Sequence, residues 1–449
     1  MKRLLSLWIT AAGFVALVEA QGPPAVNPAV TKVLSEISES NIRTTVERLV
    51  GFGTRHTLSD TLSPVRGVGA ARRWIKSELE RYAAASRGRM KVEFHESIVP
   101  PSARVPRPTK IVNVVATLRP SVALQPERIY VVGGHYDSRA SDAGDITSDA
   151  PGANDDGSGT AVTMELARVM AQYEFEATIV FIAFVGEEQG LLGAAQWAEM
   201  ARSNRWNVEA VLNNDIVGST VSGEGKREGS YVRVFSEAFS PTDTGITFRM
   251  RNSLGLENDG ASRSFARYVK DVGERYVPGF GVKMIYRRDR FLRGGDHSPF
   301  HERGFAAVRF SVAVENYDWQ HQNVRLENGK EYGDLPKFMD FSYCVNVART
   351  NAAVLATLAL APASPEKAGV VTSKLEYQTT LRWQANKETD LAGYVVRLRP
   401  TTSSEWEQSV FAKDTTVTLD VLKDDYLFGI QAVDKEGNLS LPAIPRPVR

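Results

Sequence analysis

Along most of the chain, short unbroken apolar runs alternate with stretches in which apolar residues recur at helical spacing. Residues 40–50 begin the pattern, with Ile42, Val46, Leu49 and Val50 on one face and Ser40 or Asn41 as the cap; Gly51 and Gly53 break it. A second helix is predicted over 67–84, where Ala71, Trp74, Ile75, Leu79 and Tyr82 share a face. Strands are predicted over 111–118, 128–133, 178–185 and 208–212, with one more apolar run over 305–314. Helices are predicted over 160–173, opened by Ser158 and Thr160, over 193–203 and over 337–360. The run Ile179-Val-Phe-Ile-Ala-Phe184 is apolar at consecutive positions, as a strand covered on both faces requires. This alternation predicts an α/β fold with a mixed, mostly parallel sheet sandwiched by helices.

The pattern changes towards the ends. Residues 21–38 are weakly patterned and read as a lead-in segment, and 362–369 have linker composition, with Pro362, Pro365 and Gly369. Beyond them only short strands are predicted, over 379–383, 394–398, 415–419 and 426–433, the spacing of a small β-sandwich in residues 370–449. At the other end Lys2 and Arg3 precede an apolar run over 4–18, too short to cross a membrane comfortably, and Val18-Glu-Ala20 offers small residues for cleavage. A signal peptide over 1–20 is therefore expected, and with it a secreted, periplasmic or extracellular location without stable membrane insertion. A length of 449 residues suits two folded domains, here 39–361 and 370–449. The 54 basic and 53 acidic residues nearly cancel, which leaves no global field to hold nucleic acid. Cys344 is the only cysteine, so no intrachain disulfide forms; in its apolar-periodic surroundings it reads as a small core residue.

Five segments place acids or imidazoles just after a predicted strand or in the loop that follows. They are Gly133-Gly-His-Tyr-Asp-Ser138, Pro151-Gly-Ala-Asn-Asp-Asp-Gly-Ser-Gly159, Gly186-Glu-Glu-Gln-Gly190, Asn213-Asn-Asp-Ile216 and Asn316-Tyr-Asp-Trp-Gln-His321. In an open parallel sheet the carboxyl ends of the strands converge on one crevice. Two imidazoles and several carboxylates there suit divalent metals, zinc above all, and the ions relieve the repulsion among the acids. Two such ions sharing a carboxylate lie roughly 3.5–4 Å apart and activate a water for hydrolysis. The side chains of Glu187 and Glu188 point in different directions, so one can ligate while the other handles protons. No Gly-x-Ser-x-Gly elbow follows a strand, which argues against a serine nucleophile. The acidic loop with Asp142, Asp145 and Asp149 lacks EF-hand spacing and reads as a solvated loop.

Four of these motifs, in this order, resemble the M28 family of zinc aminopeptidases, over residues 40–360. The resemblance implies two zinc ions per chain, one held by His135 and Asp215, the other by Glu188 and a later histidine, with Asp155 as the bridge. It also implies Glu187 as general base and Asp137 as the acceptor that orients the His135 imidazole. The later histidine is His321, which follows the 305–314 strand, rather than His297 of Gly294-Gly-Asp-His-Ser-Pro-Phe300, which precedes it. Where the family has a Thr and an Asp after that histidine, this chain has Gln322, Asn323 and Val324. Asp296 and His297 are assigned to a polar network beside the substrate, and Tyr286, Arg293 and Tyr317 are candidates for the oxyanion.

The C-terminal segments Leu381-Arg-Trp383, Asp390-Leu-Ala-Gly-Tyr394 and Ala432-Val-Asp-Lys-Glu-Gly-Asn-Leu-Ser440 resemble a fibronectin type III domain, with Trp383 and Tyr394 in its core. Such a module serves as a spacer or as attachment to substrate, envelope or matrix. The partners implied are peptides or proteins with a free N-terminus. Glutaminyl cyclases share the motif order and work with one zinc, and carboxypeptidases or dipeptidases use the same chemistry. A binding ectodomain that has given up catalysis is the reading outside enzymes, and it conflicts with the complete set of ligands and base.

Overall fold

Asn27 and Ser38 start the first two helices that the computed structural model describes. The side chain of Asn27 accepts from the Ala29 amide (2.8 Å), and that of Ser38 from the Asn41 amide (3.3 Å). The first cap opens α1 (Pro28–Ser35), inside the stretch read as a weakly patterned lead-in; the second opens α2 (Glu39–Val50), two residues before the expected cap. Residues 26–121, 127–373 and 375–449 are described, so the leader run and its cleavage site lie outside them. Helix α1 belongs to the main core because Val30, Val33 and Leu34 are buried, each contributing roughly 1.5–3 kcal/mol on the transfer scale. Its three-residue apolar face is too short to stand out as a period. Among the described residues no helix is long and apolar enough to cross a membrane.

Helix α3 (Gly67–Ala83) leads into the antiparallel pair β1 (Met90–Val99) and β2 (Thr109–Leu118). Then follow β3 (Ile129–His135), α4 (Gly157–Met170), β4 (Thr178–Phe184), α5 (Leu192–Ser203) and β5 (Val208–Asn214). An excursion comprises β6 (Tyr231–Phe235), α6 (Gly245–Ser253), α7 (Ala261–Tyr276) and β7 (Gly281–Ile285). Helix α8 (Ser298–Glu302) and β8 (Ala307–Ser311) precede a small hairpin of β9 (Arg325–Glu327) and β10 (Lys330–Tyr332), and α9 (Phe341–Leu360) closes the region.

The eight strands form one sheet in the order β1-β2-β4-β3-β5-β8-β6-β7. Its centre, β4-β3-β5-β8, is parallel, while β1, β2 and the β8–β6 junction are antiparallel. Alternate residues of one strand enter two separate cores. Ile179, Phe181 and Ala183 of β4 face the larger core with α4 and α9; Val180, Ile182 and Phe184 face Trp197 and Phe300 on the other side. Cys344 is buried in α9, a helix apolar almost all round.

Past residue 361 come β11 (Gly369–Val371), β12 (Thr379–Arg382), β13 (Leu391–Pro400), β14 (Gln408–Ala412), β15 (Thr416–Leu419), β16 (Tyr426–Asp434) and β17 (Arg446–Val448). They make two sheets, β15-β12-β11-β17 and β14-β13-β16, around a core that includes Trp383 and Tyr394, whose rings meet edge to face at 5.1 Å. The outward face of this sandwich is docked, with Val395, Val433 and Leu439 in the main core. Arg399 pairs with Asp259 at 2.6 Å, Arg267 of α7 pairs with the same Asp259 at 3.1 Å, and Arg397 reaches Asp271 at 3.0 Å.

Candidate metal centre

His135 is the last residue of β3, Glu187 and Glu188 follow β4, and Asp215 follows β5, so three parallel strands deliver four groups to one edge. Asp155 comes from the loop between β3 and α4, and His321 from the segment after β8. Glycines allow the close approach. A side chain on Gly134 would come within 2.5 Å of the Gly159 backbone, and one on Gly159 within 2.1 Å of the Asn214 carbonyl oxygen. The first turn of α4 is thereby seated between the ends of β3 and β5.

That turn begins three residues before Thr160. Its cap is Asp156, not Ser158: one carboxylate oxygen accepts from the Gly159 amide (2.9 Å) and the Ile216 amide (3.2 Å), the other from the His135 amide (3.0 Å). Asp156 thus ties β3, α4 and the loop after β5 together. Ser158 instead donates to the Asn154 carbonyl at 2.7 Å.

The five expected ligands converge. Asp155 Oδ1 lies 3.2 Å from His135 Nε2, and its Oδ2 lies 2.9 Å from His321 Nε2. His321 Nε2 is also 2.9 Å from Glu188 Oε1, and His135 Nε2 is 3.9 Å from Asp215 Oδ1. Two ligand groups result, His135–Glu187–Asp215 and Asp155–Glu188–His321, with the donor atoms of each within 4.8 Å of one another. Asp137 sits beneath both. Its carboxylate accepts from Thr57 Oγ1 (3.0 Å) and from the amides of Glu187 (3.4 Å) and Glu188 (3.2 Å). His135 Nδ1 is nearer the Asp137 carbonyl, at 3.1 Å, than its Oδ1, at 3.5 Å, so the expected orienting acceptor is the backbone of Asp137 rather than its side chain.

Two residues outside the motifs hold the bridging loop. Arg55 is fully buried and donates to the carbonyls of Tyr136 (2.6 Å), Pro151 (2.6 Å), Gly152 (2.8 Å) and Leu49 (3.1 Å). Burial lowers its pKa to about 10, although Asp334 and Asp137 oppose the shift. Asp334 accepts from the amides of Asn154 (2.9 Å) and Asp155 (2.7 Å), and burial raises its own pKa to about 7. Gln320 Nε2 donates to Asp155 Oδ2 at 2.9 Å. An arginine in a turn-rich stretch and an aspartate after a hairpin carry no periodic signal, which is why sequence patterning passes over them.

The electrostatics are those of an acid cluster short of cations. Burial opposes ionisation of Asp155, yet His321 and His135 hold its carboxyl well below the usual range. Burial pushes the Glu187 carboxyl well up, and Asp215, Glu188 and Asp296 add to the shift. Burial likewise works against charge on His321, but Glu188 and Asp155 raise its pKa to about 9. Buried His135 Nε2 and Glu188 Oε1 have no partner in hydrogen-bonding geometry. Orphaned donor atoms on an imidazole and a carboxylate, amid excess negative charge, are what divalent cations satisfy, and nitrogen with oxygen donors suits zinc.

The remaining expected site residues scatter. Asp296 is fully buried with both carboxylate oxygens unpartnered, and burial raises its pKa to about 8. The His297 side chain donates only to the Arg288 carbonyl, 2.8 Å away, so the two form no shared network; burial lowers the His297 pKa to about 4. Tyr286 lies under Arg263 and against Ser404 of the C-terminal sandwich, away from the crevice. Arg293 is exposed in the loop before Gly294, and Tyr317 is 57% exposed; neither side chain makes a hydrogen bond or ion pair among the described residues. None of these three touches a metal-ligand candidate.

Residues 113–328 match the model of peptidase family M28. A relative from Leptosphaeria maculans described as a probable zinc metalloprotease is 44% identical over 425 residues, covering 94% of this chain and 98% of its own. Among solved structures, the LapA aminopeptidase of Legionella pneumophila aligns with a TM-score of 0.52 at 20% identity, over 76% of this chain and 78% of the other. A zinc aminopeptidase of Bacillus subtilis aligns with a TM-score of 0.51 at 15% identity, over 71% and 94%. At those identities the two structures share the fold; the extended likeness to the fungal relative and the family match establish that this chain belongs to peptidase family M28.

Proposed function

We propose that the protein is a secreted two-zinc aminopeptidase that removes N-terminal residues from peptides. The observation that carries this reading is Asp155, whose two carboxylate oxygens face the imidazoles of the two ligand groups at 3.2 and 2.9 Å. His135 and Asp215 would hold one zinc, Glu188 and His321 the other, and Asp155 both. When bound, zinc supplies Lewis acidity towards a carbonyl oxygen and towards water. Glu187, beside His135 and Asp215 but not needed to hold either ion, takes the proton of the attacking water and returns it to the leaving amine. The names of the structural neighbours support the aminopeptidase assignment, and the leader motif over 1–20 supports export.

A panel of aminoacyl-p-nitroanilides tests the proposal, comparing native protein with Glu187→Gln after zinc loading. Release of chromophore, lost on chelation and in the variant, is the expected result. No release from any member, together with cyclisation of N-terminal glutamine or cleavage from the carboxyl end, would replace the aminopeptidase reading by a cyclase or carboxypeptidase.

A further inference from the structure

Strand β8 carries a charge where both faces of the sheet are covered. Arg309 lies between Val308 and Phe310 and is fully buried. Its guanidinium is 2.9 Å from Asp215 Oδ1, the same oxygen that lies 3.9 Å from His135 Nε2. It also pairs with buried Asp289 and donates to the Gly294 carbonyl at 2.9 Å. Gly295 leaves room for the contact, since a Cβ there would be 3.2 Å from Arg309 and 3.3 Å from Asp215.

The pairing extends further. Asp289 is shared with Arg290 (3.2 Å), Arg290 reaches Glu315 (2.5 Å), and Arg233 reaches the same Glu315 (2.6 Å). Three cations, Arg233, Arg290 and Arg309, thus face three carboxylates, Asp215, Asp289 and Glu315, so Asp215 has a fixed counter-charge of its own. The other corner differs. Glu188 and Asp155 have His321 between them, and among the described residues the arginine nearest the Glu188 carboxylate is Arg139, 4.0 Å from Oε2 and turned towards the carbonyls of Ala140 and Ser141. Arg104 reaches only the Glu188 backbone, at 2.8 Å. Glu187 stands beside the His135 corner, but as the proton acceptor it is no fixed ligand.

We infer that Arg309 is a built-in counter-cation to Asp215, making the two metal half-sites unequal: the Asp155–Glu188–His321 half holds its ion tightly, the His135–Asp215 half weakly and exchangeably. An oxygen already engaged by a guanidinium donates less to an ion, and an ion placed beside Asp215 also meets the positive charge of Arg309. Arg309 acts through Asp215 and is a positioning residue, not a catalytic one. The inference rests on the two-zinc reading.

Zinc retention measured by plasma mass spectrometry, after dialysis of the full chain against graded concentrations of nitrilotriacetate, tests it without reference to activity. Two release steps are expected, about tenfold or more apart in free zinc, the spacing that loss of one close charge contact produces. His135→Ala should remove the weaker step alone, and His321→Ala the tighter. Arg309→Met should tighten the weaker step about tenfold and draw the two together, while Arg309→Lys keeps them apart. Arg309→Met/Asp289→Asn removes the cation with its second partner and serves the same comparison if the single variant does not fold. Simultaneous release of two zincs, a spacing unchanged in the folded methionine variants, or loss of the tighter step in His135→Ala overturns the inference and leaves the two-zinc reading standing. A native chain that binds no zinc removes both.

Discussion

Two buried regions of this molecule are rich in charge, and they are built in opposite ways. Where α7 meets the C-terminal sandwich, Arg267 and Arg399 share Asp259, Arg397 meets Asp271, and the Trp406 ring lies 5.0 Å from Arg267 and 5.7 Å from Arg399. At the ends of β3, β4 and β5, by contrast, Asp155, Glu187, Glu188 and Asp215 crowd together with two imidazoles; of the four, only Asp215 has an arginine in close contact among the described residues (Arg309, 2.9 Å), and His135 Nε2 and Glu188 Oε1 lack a partner in hydrogen-bonding geometry. Paired charges mark a contact that holds two parts of the chain together. Unpaired ones mark a place where something else is to be held, because a folded chain retains buried repulsion only where an ion or substrate relieves it.

The sharpest way to separate the two regions is Glu187→Gln. Hydrolysis is expected to fall roughly a hundredfold to ten-thousandfold, with zinc content and melting temperature unchanged. A fall in melting temperature of several degrees would assign Glu187 a structural task instead. The reverse experiment is Asp259→Ala, which strands Arg267 and Arg399 in a buried contact. A loss of about 3–5 kcal/mol in denaturant unfolding is expected, with the rate per folded molecule retained.

Asp334→Ala probes the boundary between the two kinds of region, since Asp334 touches no ligand side chain of either metal group except through the amide of Asp155. Removing it should weaken zinc binding by roughly ten- to a hundredfold in chelator competition. Unchanged affinity would mean that the bridging loop is held by Arg55 alone. The smallest effect is expected at Glu176, which sits beside Asp390, Asp434 and Glu388 of the sandwich. Burial first, then Asp390, raises its pKa to about 7. A carboxyl that binds its proton more tightly when folded costs stability as pH rises from the ordinary carboxylate range to about 7, and the cost is complete above that. Glu176→Gln should therefore raise the melting temperature at pH 8 and leave it unchanged at pH 4. An equal gain at both pH values would remove the charge explanation.

Much of this was legible before any coordinates. The β4 run, apolar at consecutive positions, required cover on both faces, and it lies third from an edge of the sheet with a core on either side. Each motif loop is where strand-end convergence requires it, and His321 rather than His297 meets Asp155 and Glu188 because only His321 follows β8 in the direction of the parallel strands. The excursion from β6 to β7 was passed over. Its strands have five residues each, and Arg233 and Lys283 interrupt their apolar pattern. Arg309 was absorbed into an apolar run, although a lone charge in a doubly covered strand is itself a signal of a buried partner. Tyr286, Arg293 and Tyr317 lie near motif segments in sequence, and nearness along an irregular loop does not set the direction of a side chain.

The sequence by itself determined the layered α/β class, the small β-sandwich after residue 361 and the loops that carry the acids and imidazoles. Those follow from local rules: the period of apolar residues and the chemistry of turn and strand-end positions. Only the tertiary structure decided which groups stand opposite one another. It seated the C-terminal sandwich on α7, turned the two oxygens of Asp155 to different imidazoles, and placed Arg309 against one half of the site and not the other. Those outcomes depend on contacts between residues far apart in sequence, such as Asp259 with Arg399, 140 positions apart. Coulombic and hydrogen-bonding forces act over a few ångströms in space, and distance along the chain carries no record of them.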